Sequence, residues 1–315
     1  MVAMKPMETV LLSVIVAAPL PSCASESGHR AVTVEKLAGD MGFTEGPVWL
    51  PAAGKLVFSD IPNSLLMEWS EEAGLAVFRE SANPNGNRLD LEGRLLTCQH
   101  GARNIVRTET DGALTVLADR VDGKRFNSPN DVAVKSDGTL WFTDPPWGLK
   151  NRREGKELDG HYVYRLDPDG AVTTLIRDLA MPNGIAFSPD EQRLYVADTG
   201  DFLLDLEPGS TARPPTLTAY DVGSDNSLSV EPAWRVEALC DGMCVDEEGT
   251  IYATGHDGMT LWTADGAPAG TILVPEQPAN ACFGGDDRKT LFITARTSLY
   301  AVRMDVAGAA PPRSN

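Results

Sequence analysis

The sequence predicts an all-β chain: a six-bladed β-propeller with a divalent-metal site in its central channel. Three observations carry that expectation. A strand–turn–strand unit recurs six times, and the residues that open successive units lie 40, 45, 53, 58 and 39 positions apart. Repeats of about 40 to 50 residues built from short strands are the signature of propeller blades with four strands each. The apolar segments VAV, LWFTD, HYVYRLD, LYVAD, IYATG and LFITA alternate and are rich in β-branched and aromatic residues, and no long 3.6-residue periodicity competes with them. Every unit also opens on an oxygen-bearing side chain.

Residues 1–29 read as a leader, separate from the fold. Lys5 precedes an apolar run at 10–20 of 11 residues, followed by the small, polar PSCASESGHR. A helix needs about 20 apolar residues to cross a bilayer, so this run is too short. It has the layout of a secretory signal peptide or, with Cys23 as the lipidated residue, of a lipoprotein leader. The expected destination is therefore the periplasm, free or lipid-anchored. No later stretch is long and apolar enough to span a membrane.

The propeller is expected over residues 30–306. Its units open at Glu45, Asn85, Asn130, Asn183, Asp241 and Asn280, and the second strand of each begins 10 or 11 residues later, at Leu56, Leu95, Leu140, Leu194, Ile251 and Leu291. The turns SDG, PDG, DEEG and PDE between strands supply Asp and Gly where tight reversals need them. Insertions after Asp144 (PPWGLKNRREGKELDG) and Asp198 account for the two widest intervals. Residues 307–315 are expected to form a disordered tail.

Propeller geometry turns this repeat into chemistry. The innermost strand of each blade lines the channel, so the six openers converge on one mouth. One Glu, one Asp and four Asn make an all-oxygen set with two negative charges, which suits a hard divalent ion. Asn and Asp also favour turns for structural reasons alone, but Glu45 has no such reason to head a strand. The second strands return to the same mouth near Asp60, His100, Asp144, Asp198, His256 and Arg296. His100 and His256, at equivalent positions, are candidate substrate-binding residues, and so is Trp147 in the inserted DPPWG loop.

Composition narrows the partners. With 27 basic against 45 acidic side chains and a formal charge of −18, the chain is a poor ligand for nucleic acid or an anionic membrane and better suited to a neutral small molecule or a cation. Besides Cys23, the cysteines Cys98, Cys240, Cys244 and Cys282 lack zinc-site spacing and sit in or beside apolar strands, as buried small hydrophobes do.

The segments TEGPVW (44–49), FNSPNDVAVKSDGTLWFTDPPWG (126–148), PNGIAFSPD (182–190), DGMCVDEEG (241–249) and CFGGDD (282–287) resemble the senescence-marker-protein/gluconolactonase/luciferin-regenerating-enzyme family. Its bacterial gluconolactonases are the nearest branch by the wording NSPND and FTDPPWG. The resemblance spans about residues 31–304. It implies a six-bladed propeller, a single divalent ion in the channel and hydrolysis of sugar lactones. The implied metal ligands are Glu45, Asn130, Asn183 and Asp241. Calcium is the first expectation, with magnesium, manganese or zinc as alternatives. Asp241 would both hold the ion and activate water. Asn85 and Asn280 are not family ligands, and the ion is expected to survive their replacement by alanine. The arginine that animal members place two residues before the third opener is replaced here by Ser128, with Arg125 as a candidate substitute in substrate binding. Paraoxonase- or diisopropyl-fluorophosphatase-type hydrolysis of other lactones, aryl esters or organophosphates is the alternative enzymatic reading. A binding propeller with a structural ion is the non-enzymatic one. No Gly-x-Ser-x-Gly elbow supports a serine esterase.

Overall fold

A computed structural model describes residues 32–201 and 212–312. The leader with Cys23 and part of the second insertion lie outside the described residues. Six four-stranded antiparallel sheets follow one another along the chain. Blade one runs Thr44–Leu50, Lys55–Asp60, Leu65–Ser70 and Gly74–Glu80. Blade two runs Pro84–Leu89, Leu95–Gln99, Asn104–Thr108 and Leu114–Ala118. Blade three consists of Val132–Val134, Leu140–Asp144, Tyr162–Leu166 and Val172–Ile176. Blade four consists of Pro182–Phe187, Arg193–Asp198, Thr216–Asp221 and Trp234–Glu237. Blade five is built from Met243–Val245, Ile251–Thr254, Gly258–Trp262 and Pro268–Leu273. Blade six takes Pro278–Gly284, Thr290–Ala295 and Ser298–Arg303 from the end of the chain and Val34–Ala38 from its beginning. That last strand pairs outermost, Val34 opposite Val302, and closes the ring non-covalently.

Both faces of the inner strands of each sheet are covered, which explains their apolar runs, while outermost strands such as Gly74–Glu80 are largely exposed. Successive side chains of a strand point to opposite faces. In blade three, Phe142 accordingly packs toward blade two with Leu96 and Ile105, whereas Trp141 packs toward blade four with Ile185 and Val196. A buried apolar cluster fills each blade-to-blade interface in this way. Cys98, Cys240, Cys244 and Cys282 are unpaired and buried in these clusters, matching the reading of them as small hydrophobes.

The repeated Asp at the end of a second strand has a structural use. Asp60 accepts hydrogen bonds from Gly42 N and Phe43 N, Asp144 from Asn127 N and Ser128 N, and Asp198 from Ala180 N and Met181 N. Each carboxylate thus caps the two amides lying three and two residues before its blade's opener. The loop into the channel is fixed, and these carboxylates are occupied by their own backbone.

The tail expectation needs correction over residues 307–309. Ala307 O accepts from Glu247 N, Gly308 N donates to Arg288 O, and Ala309 N donates to Val245 O, so the segment lies against blades five and six. Its bonds are all made by the backbone, which is why AGAA carries no sequence signature for them.

Candidate active site

Four of the six openers sit where the innermost strands break register, and Asn130 and Asp241 lie just before theirs. Irregularities fall at Glu45–Val48, Pro84–Asn87, Pro182–Ile185 and Pro278–Asn280. A bulge of this kind re-aims a side chain and is favoured beside active sites. Glycine follows the opener in blades one, two, four and five because the innermost strands approach one another there. Gly46 has φ of 51°, and a Cβ on it would lie 2.1 Å from Asn85 O. Backbone bonds lock neighbouring openers together: Gly86 N to Asn130 O at 2.8 Å, Gly184 N to Asp241 O at 2.7 Å, Gly242 N to Ala279 O at 2.7 Å.

Of the four expected ligands, three are in direct electrostatic or hydrogen-bonded contact. Glu45, from blade one, feels the charge of Asp241 from blade five, and the Asn183 amide of blade four hydrogen-bonds the Asp241 carboxylate. Asn183 Nδ2 also donates to Thr199 Oγ1 at 3.0 Å, and its Oδ1 has no hydrogen-bond partner among the described residues. Asn130 is buried with its backbone held on both sides, Asn130 N donating to Thr143 O and Asn130 O accepting from Gly86 N. Among the described residues its side-chain amide has no hydrogen-bond partner.

A third carboxylate, Asp131, completes the channel and is absent from the sequence reading. It is 2% exposed, and its oxygens accept from Val132 N at 2.9 Å and Ile185 N at 3.3 Å. A signal for it existed: blade three carries Asp where four other blades have Gly after the opener. Burial raises the pKa of all three acids. Glu45 is pushed well above the ordinary carboxylate range by burial and then by the charges of Asp241 and Asp131. Asp241 is pushed up to about 7 by burial, against the Asn183 hydrogen bond. Asp131 is raised by burial, partly offset by the nearby Arg88. Three carboxylates sharing a buried space call for a compensating positive charge.

That donor set fits a hard cation. Among the described residues no three His, Cys, Asp or Glu side chains form a metal-binding cluster, so an ion here would rely on amide oxygens as well as on carboxylates. The unpartnered Asn130 amide and the free Oδ1 of Asn183 are suited to that use.

The expected substrate-binding residues divide. His100 is buried, and its Nε2 accepts from Asn85 Nδ2 at 3.0 Å, which places the ring proton on Nδ1. Burial lowers its pKa to about 4, so it is neutral at physiological pH. Asn85 Oδ1 is buried without a partner among the described residues. Trp147 is half-buried with the Arg152 guanidinium 4.6 Å above its ring. Ser128, in place of the family arginine, donates to Pro145 O at 2.6 Å and accepts from Gly148 N at 2.9 Å, so it ties down the DPPWG loop. Arg125 is held by other partners. Its Nη2 donates to Ala102 O at 2.6 Å and its backbone N to Glu157, bracing a surface hairpin. His256 is exposed and pairs with Asp257 at 2.7 Å.

Residues 43–297 match the family described as "SMP-30/Gluconolactonase/LRE-like region". The chain belongs to the SMP-30/gluconolactonase/LRE family. Within it, the chain is 32% identical to a gluconolactonase of Zymomonas mobilis over 87% of this chain and 82% of that protein. It is 30% identical to a pentonolactonase of Haloferax volcanii over 79% and 80%. A solved gluconolactonase from Xanthomonas campestris superposes with a TM-score of 0.74 at 36% identity, covering 86% of this chain and 89% of the other. The six-bladed architecture described above is thus that of a family propeller.

Proposed function

We propose that this chain, a lactone-hydrolysing enzyme of the carboxylic-ester hydrolase class, opens a sugar lactone of the gluconolactone type to its aldonic acid. The carrying observation is the convergence of Glu45, Asn183 and Asp241 at one end of the channel in a chain whose similar relatives are a gluconolactonase and a pentonolactonase. Glu45, Asn130, Asn183 and Asp241 would hold one divalent ion, calcium in the first instance, through oxygen atoms. When bound, such an ion supplies Lewis-acid polarisation of the lactone carbonyl.

The chain's own residues do the rest. In the net reaction a water oxygen joins the carbonyl carbon, the acyl–oxygen bond breaks, and the ring oxygen leaves as a hydroxyl. Asp241 takes the proton of the attacking water on a carboxylate oxygen and passes it on to the leaving oxygen. The Asn183 amide holds the Asp241 carboxylate in place for that exchange. His100 holds Asn85 at the channel, and Trp147, half-buried, offers an apolar wall to the substrate.

The direct test is Glu45→Gln, which removes one of two ligand charges while keeping size. Calcium affinity measured by titration calorimetry should fall by roughly ten-fold or more, since charge count sets affinity at such sites. Parent-like affinity in this variant would remove the channel site.

A further inference from the structure

Asn280 was expected to be indifferent to the ion, but its surroundings say otherwise. It opens blade six, is 4% exposed, and donates from Nδ2 to Glu45 Oε2 at 3.0 Å across the channel. The Asp131 carboxylate of blade three lies beside the same amide. Its Oδ1 accepts from Ala281 N at 2.8 Å. The amide nitrogen is thus committed to Glu45 and the amide oxygen to the backbone of Ala281, so the side chain is held by its neighbours. Gly242 packs directly on the amide, and a Cβ there would sit 2.2 Å from Asn280 Cγ, so the side chain has no room to turn.

The consequence falls on Glu45. Its Oε2 receives two donors, Gly46 N at 2.7 Å and Asn280 Nδ2 at 3.0 Å. Oε1 is the oxygen left to face an ion. A glutamate has three side-chain torsions to fix, and a carboxylate that must find its orientation on binding loses affinity to that ordering. We infer that Asn280 is a positioning residue of the metal site: it holds Glu45 Oε2 and presets Glu45 to present Oε1 as a single-oxygen ligand. This rests on the reading of Glu45 as a ligand.

The test uses the full chain and calcium alone as probe, followed by calorimetry, with activity playing no part. Asn280→Ala should weaken calcium binding by about 10- to 100-fold, the usual effect of removing a partner that orients a ligand. Asn280→Leu, which keeps volume but donates nothing, should do the same, and it serves if the alanine cavity harms folding. The decisive arm is the pair with Glu45→Gln. If Asn280 acts through Glu45, adding Asn280→Ala to Glu45→Gln should weaken binding far less than it does in the parent. A merely structural residue would give the same loss in both backgrounds, and that result would overturn the proposal. So would parent-like affinity in both single Asn280 variants while Glu45→Gln binds weakly. Parent-like affinity in Glu45→Gln itself would instead remove the underlying ligand assignment.

Discussion

The proposed mechanism asks two things of one carboxylate: Asp241 would share an ion with Glu45, which feels its charge, and would take the proton of the attacking water. Replacing it by Asn separates the two roles. The amide oxygen can still coordinate, so a weaker site should persist, but the amide cannot accept a proton. With the site saturated by calcium, and with spontaneous lactone opening subtracted, Asp241→Asn should lose on the order of 10²- to 10⁴-fold in kcat, the range expected for a lost general base. Turnover within a few fold of the parent would reduce Asp241 to a ligand. At this scale the sequence was informative where residue type and position in the repeat coincide, as at Glu45. It was silent where function depends on a partner: nothing in PANACF tells that Asn280 faces Glu45, because the two lie 235 residues apart. The partner of Arg125, Ala102 O, is likewise a backbone atom with no sequence signature.

The ring of blades is only as strong as its closure. Val34–Ala38 completes blade six, and Glu276 joins it to the neighbouring strand: its carboxylate accepts from Lys36 Nζ of the closing strand and from Thr297 N, Tyr300 OH and Ser298 Oγ beside it. Burial alone would raise the pKa of Glu276. The hydrogen bonds from Ser298, Tyr300, Thr297 and Lys36 outweigh it and hold the group down to about 2. A carboxyl with a folded pKa below its unfolded value contributes stability above the unfolded value, near 4.5, and loses it as pH falls toward about 2. Melting temperature should therefore drop more steeply in the parent than in Glu276→Gln as pH is lowered from 5 to 3. The variant should be the less stable at pH 7, and the two should converge in acid. Parallel acid limbs would show that Glu276 does not fasten the closure. The strands themselves were largely legible, because burial of both sheet faces writes each one as a β-branched or aromatic run. The closing strand was not. VEKLA is half polar, as an outermost strand with one wet edge can be, and its partner lies at the other end of the chain.

Across the whole molecule, six nearly equivalent sheets direct unequal residues to one point. The repeat made the convergence of the openers predictable from spacing alone, since a propeller leaves innermost strands no other place to meet. What the repeat could not reveal is where its symmetry is broken. Asp131 stands where four other blades carry Gly, and Ser128 secures the DPPWG loop. An acidic surface and a channel holding three buried carboxylates both favour a cation in the resting enzyme. The most direct test is hydrolysis of gluconolactone by chelator-stripped protein, measured against spontaneous opening before and after calcium is restored. The account predicts that stripping lowers the enzymatic rate by at least about 100-fold, comparable to losing a main source of oxyanion stabilisation, and that calcium restores it. Undiminished hydrolysis by protein shown to be free of divalent ions would contradict it.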